Sequence, residues 1–183
     1  MIEKVKEVGI ALKAGCYHCA LALTLTFPDI CGKIAYPELN KRSESSKRYQ
    51  KWYDEYVAKY YDYGNKSFSN GSNVLINGYA CYLLRCIYLH NGCYDLGEQY
   101  PKIKIKSFRL YYDKHSVLYG GYNVVNDTEK DFSLDIDIAT FCHAICIATT
   151  NLYNNHKEQF QNELILDCSW DNETVEQIFR TNG

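Results

Sequence analysis

Up to residue 90 the apolar positions recur at the three- and four-residue spacing of helical faces; beyond about residue 103 the spacing becomes two. Segment 2–14 sets Ile2, Val5, Val8 and Leu12 on one side and lysines and glutamates on the other, which predicts a helix that Gly15 breaks or bends. Segment 16–27, CYHCALALTLTF, is almost wholly apolar and predicts a central helix ending at Pro28. Pro28, Gly32 and Pro37 then mark 28–40 as a loop or a short helical turn. A long third helix is expected over 43–64, capped by Ser45 or Ser46 and closed by Gly64. Tyr49, Trp52, Tyr53, Tyr56, Val57 and Tyr60 form its apolar-aromatic stripe. After the polar loop NKSFSNGSN, a fourth helix covers 74–90, with Asn91-Gly92 as a left-handed stop.

In the second half, IKIKSFRLYYDKHSVLYGGYNVVNDTEKDFSLDID alternates apolar with polar residues around DKHS, GG and NDTEKD. Three or four short antiparallel strands follow from that pattern, over about 103–136. Helical spacing returns at Asp137 and runs to about Phe160, and a short helix is expected at 172–180. Internal repeats and low-complexity linkers are absent from the sequence. The expected architecture is one mainly α domain over 1–183, a helical bundle with a small antiparallel β insertion. The most apolar stretch, IATFCHAICIATT, is about thirteen residues long, against about 20 for a membrane span, so no membrane contact is expected.

Composition narrows this picture only a little. The chain has 183 residues, long enough for a full core, with 46% hydrophobic and 23% charged residues. Twenty basic and 22 acidic side chains leave a formal charge of −2, so any phosphate-binding surface must be local. Eighteen tyrosines suit a core with polar handles, an interface or a base-binding groove. Nine cysteines, an odd number, several of them inside apolar helical runs, fit free thiols better than a disulfide framework. The charged N-terminus lacks the shape of a signal peptide, and a reducing, cytoplasmic setting is the simplest expectation.

The apolar fourth helix contains one permanent cation, Arg85, in YACYLLRCIYLHNG, and His90 stands five residues later. An arginine removed from water costs several kcal/mol unless it is paired and hydrogen-bonded. Either Arg85 pairs with a carboxylate such as Asp29 or Asp54 or points out through a crack between helices, or its helix lines a cleft or a dimer seam where the guanidinium faces a phosphate. Five residues at about 100° each put His90 about 140° round an ideal helix from Arg85, so spacing by itself does not bring the two together. A histidine in a last helical turn is favoured in its protonated form by the negative helix end.

At these residues the sequence resembles the HEPN superfamily, whose nucleases carry an arginine, four to six residues, then a histidine near a helix end. Arg85 and His90 flank CIYL, and CALALTLTFPDICGKI, SSKRYQKWYDEYV and GYACYLLRCIYLHNG are similar to segments of small bacterial HEPN-like proteins. The likeness covers roughly the first half of the chain. Where such nucleases often carry a polar residue after the arginine, this chain has Cys86. The resemblance implies an endoribonuclease of toxin or defence type, needing neither metal nor cofactor, with Arg85 and His90 as the active pair. The ribose 2′-hydroxyl would attack phosphorus to leave a 2′,3′-cyclic phosphate. His90 would move a proton, and Arg85 would hold the phosphorane charge. Asp29 and Asn91 would support the pair. The resemblance further implies a homodimer, with RNA as substrate and an antitoxin or regulatory protein as partner. The rival reading is a non-catalytic interaction or nucleotide-binding module on the same bundle.

Remaining signals are weaker. Lys47, Arg48 and Lys51, followed by Trp52, form a basic, aromatic helix segment suited either to single-stranded RNA or to plain solvation. Cys16 and Cys19 have Cys-x-x-Cys spacing, but their apolar surroundings point to packed thiols rather than a zinc or redox site, even with Cys31 as a third ligand. The same reasoning makes Cys142 and Cys146 core residues and His143 a satisfied core histidine.

Overall fold

The computed structural model of the protein describes residues 1–60, 76–91, 105–112 and 132–160. Helix α1, Ile2–Lys13, buries Val8 and ends as its sequence predicts. Gly15 takes a left-handed φ of 76°, Cys16 N–H bonds the Ala11 carbonyl at 2.8 Å and Gly15 N–H bonds that of Leu12 at 3.2 Å. This paired closure satisfies carbonyls that the helix end would otherwise orphan, and it needs the glycine. Helix α2, Tyr17–Thr24, is shorter than expected. Pro28 does not end it but sits in the first turn of a separate helix α3, Phe27–Ala35. A proline lacks an N–H that a first-turn residue would leave unused anyway, so Pro28 sits at the start of a helix where a loop or a short helical turn was expected.

Helix α4, Ser45–Trp52, runs on through a π-helical turn, Tyr53–Val57, and a tighter turn, Ala58–Tyr60. Tyr49, Trp52, Tyr53 and Val57 are buried, as the stripe requires. The helical start at 42–45 is closed by the Glu44 carboxylate accepting from Lys41 N–H at 3.2 Å, not by Ser45 or Ser46. Helix α5, Gly78–Cys86, passes into a second π-helical turn, Ile87–Asn91. The expected stops at Gly64 and Gly92 lie outside the described residues.

Two strands, β1 (Ile105–Tyr111) and β2 (Phe132–Asp137), pair with Phe108 opposite Leu134 and Leu110 opposite Ile136. The pairing is parallel, which corrects the expected antiparallel insertion. Alternation identifies a strand but carries no information about its direction. The connection of about 20 residues between the strands exceeds the dozen or so that a parallel crossover needs. The three turn sequences fall at 113–131, outside the described residues, as does the helix expected at 172–180. Asp137 ends β2 and caps helix α6, Ile138–Asn155, accepting from Thr140 N–H at 2.7 Å. Helix α6 packs on α1, α2, α3 and the turn after α4, while α4 packs on α3 and α5. Phe27, Leu21, Leu25 and Phe141 are fully buried in this core, each contributing roughly 2 kcal/mol of apolar burial. Among the described residues no helix is long and apolar enough to cross a membrane.

Candidate active site

The start of α5 is pinned to α4. Asn77 caps it, accepting from Ala80 N–H at 2.9 Å, and the Asp54 carboxylate accepts from Gly78 N–H at 2.6 Å. A Cβ at Gly78 would lie 2.2 Å from the Gln50 carbonyl oxygen, so only glycine allows this approach of the two backbones. From that anchor Ala80, Cys81, Leu83 and Leu84 turn into the core, and Arg85 reaches the boundary, half-buried.

The guanidinium carbon of Arg85 lies 5.8 Å from the centre of the Tyr49 ring, within range of a cation–π contact. Its Nε, like that of Arg48, is buried without a hydrogen-bond partner among the described residues. Both carboxylates suggested by the sequence are committed elsewhere. Asp54 holds the α5 N-terminus, and Asp29 bonds Arg48 Nη2 at 3.0 Å with Lys33 at 3.9 Å. Arg85 has no ion pair among the described residues.

Among the described residues, Tyr49, Cys81 and Tyr82 beside Arg85 are neutral, although the Asp54 carboxylate also acts on Cys81 and that of Asp29 on Tyr82. Burial pushes the Tyr49 hydroxyl well above its ordinary value, and Cys81 beside it adds to the shift. Tyr49 bonds the Leu25 carbonyl at 3.1 Å and meets the Cys81 sulfur at 3.5 Å. Burial also pushes Cys81 up to about 12. Tyr82, edge-on to Tyr49 at 5.5 Å, is raised by burial and then by Cys86, while Arg85 pulls it down. These phenols and the Cys81 thiol keep their protons at neutral pH, so none of them offsets the cation. What remains is a guanidinium able to donate hydrogen bonds to an incoming anion.

His90 and Asn91 belong to the π-helical turn that begins two residues after Arg85; their side chains lie outside the described residues. A turn closing i to i+5 holds more residues than an α turn, so it rotates position 90 toward the face of position 85, relative to an ideal helix. Sequence spacing cannot show this, because no residue pattern in CIYLHN separates a π turn from an α turn.

The four candidate RNA contacts separate. Lys47 is exposed, whereas Lys51 lies 4.0 Å above the Tyr36 ring and 4.0 Å from the Glu55 carboxylate. Arg48 is 3% exposed, its stem crossing α3 at Gly32 and its Nη1 donating to the Leu39 carbonyl at 2.5 Å. Trp52 is fully buried and stacks on Tyr56 at 5.7 Å. Arg48 and Trp52 thus serve the bundle, since this helix turns that face inward. Tyr49 and Tyr82, which shape the Arg85 environment, were missed as site residues because tyrosines at helical spacing read as core.

Cys31 and Cys142 are buried, with Cys146 partly so. Cys16, Cys19 and His143, by contrast, are exposed rather than packed in the core. An apolar run on a short helix still leaves an outer face, and the first turn of α2 lies on it. Among the described residues no three His, Cys, Asp or Glu side chains come together to hold a metal ion. No protein-family model, curated protein or solved structure significantly matches the chain.

Proposed function

We propose that the chain is a HEPN-type endoribonuclease in which Arg85 binds and stabilises the reacting phosphate and His90 transfers the proton. The observation that carries this reading is the uncommitted guanidinium of Arg85, which has no carboxylate partner among the described residues and rests over a neutral tyrosine. The π-helical turn that begins two residues after Arg85 supports the pairing with His90. In the reaction the ribose 2′-hydroxyl attacks phosphorus, the bond to the 5′-oxygen breaks, and a 2′,3′-cyclic phosphate and a 5′-hydroxyl remain. Charge grows on the phosphorane oxygens, where a guanidinium lowers the barrier most. A homodimer that closes a groove over two such helices, working in the cytoplasm under an antitoxin or regulatory protein, completes the proposal.

The test is incubation of labelled RNA with the chain in the presence of a chelator, followed by analysis of the ends. Cyclic-phosphate ends from wild type, lost in both Arg85→Ala and His90→Ala, support the nuclease. RNA binding that depends on Arg85 without cleavage points instead to the binding module and overturns the enzymatic reading.

A further inference from the structure

The exposed thiols at the start of α2 serve neither the core nor the Arg85 site. Cys16 is the N-cap residue, just outside the helix at φ −82° and ψ 59°, and Cys19 stands three residues on in the first turn. Both are exposed and free. The core thiols differ in every respect. Cys31 meets Thr149 at 3.8 Å and Cys81 meets Tyr49 at 3.5 Å, and burial raises Cys31, Cys81 and Cys142 to about 12. At neutral pH those three are fully protonated and shielded, hence inert.

Residues three apart on a helix have Cβ atoms about 5–6 Å apart, and a disulfide needs about 3.5–4.5 Å. Cys16 departs from helical backbone angles at the N-cap, but its N–H bonds the Ala11 carbonyl at 2.8 Å and its carbonyl accepts from Ala20 N–H at 3.0 Å. Closing the bridge therefore draws on its side-chain torsions and strains both of these bonds. The loop to be closed holds His18, which is itself engaged. Its Nδ1 lies 2.7 Å from the Tyr88 hydroxyl, and its carbonyl accepts from the same hydroxyl at 3.2 Å. Tyr88 is the second residue of the π-helical turn that follows Arg85.

We propose that Cys16 and Cys19 form a redox-active dithiol that exchanges with small-molecule disulfides of the glutathione class. One protein thiolate attacks the disulfide, forming a mixed disulfide and releasing one small thiol. The second protein thiolate then attacks the protein sulfur of that mixed disulfide and releases the other. The protein loses two electrons and two protons, and the reagent is reduced to two thiols. Because His18 lies inside the closed loop and holds Tyr88, the oxidation state reaches the turn beyond Arg85. The link to RNA cleavage rests on the function proposed above; the exchange chemistry does not.

The test equilibrates the full chain in glutathione buffers of increasing oxidation, quenches with an alkylating agent and maps the products by tandem mass spectrometry. The expected product has lost two hydrogens, bridges Cys16 to Cys19 and leaves Cys31 of the same tryptic peptide reduced and alkylated. Cys16→Ser and Cys19→Ser should each stop at a mixed disulfide on the remaining thiol. A wild-type end product that retains glutathione on either residue, or thiols that stay alkylatable in excess oxidised glutathione, overturns the proposal. A cleavage assay on the same samples separates the two ideas. Exchange without any RNA cleavage removes the function and leaves the dithiol standing.

Discussion

Replacing Arg85 by methionine asks whether this cation serves the fold. Methionine keeps the unbranched stem and places a polarizable sulfur near the Tyr49 ring, retaining about 0.3–1.5 kcal/mol of contact. The substitution removes a cation–π contact at 5.8 Å, worth about 0.5–1 kcal/mol at a half-exposed site. It also removes a buried Nε donor without a partner, relieving about 1–3 kcal/mol of desolvation. The net expectation for Arg85→Met is a gain of about 0–2 kcal/mol in stability. Arg48→Met is the control. It deletes the bonds to the Leu39 carbonyl and the Asp29 carboxylate from a side chain 3% exposed, a loss of about 3–5 kcal/mol for a broken buried pair. It also removes an Nε that, like that of Arg85, is buried without a partner among the described residues, which returns about 1–3 kcal/mol and leaves a cost of about 2 kcal/mol. Urea unfolding followed by circular dichroism, with matched m-values, measures both. A loss above about 1.5 kcal/mol in Arg85→Met would show that Arg85 has a structural partner and would remove the physical basis of the proposed site.

Gly78→Ala places a methyl 2.2 Å from the Gln50 carbonyl oxygen and forces the α5 start off α4, loosening the Asp54 bond as well. The same urea measurement should show a loss of about 3 kcal/mol, and an unchanged midpoint would contradict the close approach. Asn77→Ala removes the α5 cap and should cost about 1 kcal/mol, read from the urea midpoint. Burial raises the thiols of Cys31, Cys81 and Cys142 from 9.0 to about 12, so unfolded chains release these protons at lower pH than folded ones. Their contribution is complete below about pH 9 and is lost as pH rises toward 12, by up to about 1.4 kcal/mol per pH unit for each thiol. Urea midpoints under reducing conditions should therefore fall above about pH 9, and a flat profile there would refute the burial of these groups.

Local pattern was enough for several elements. The Gly15 stop of α1, the aromatic stripe on α4 and the start of α6 at Asp137 all depend on residues within one or two turns of each other. Spacing, capping groups and backbone freedom decide such features, and each is written along the chain. Pro28 was ambiguous because the same ring suits the residue after one helix and the first turn of the next.

Other outcomes needed the assembled molecule. Strand direction depends on the path of the connection, and exposure of Cys16 and Cys19 depends on which face of α2 meets α6 and α1. The sharpest case is the pair of arginines. Arg48 stands in a basic, aromatic segment and Arg85 in an apolar one, and Asp29 is remote from each in sequence. Packing α3 against α4 at Gly32 gives that carboxylate to Arg48 and leaves Arg85 above a neutral ring. Charge neutralisation is a through-space property, falling off with distance between side chains rather than residues between them, so tertiary structure decides which cation is satisfied.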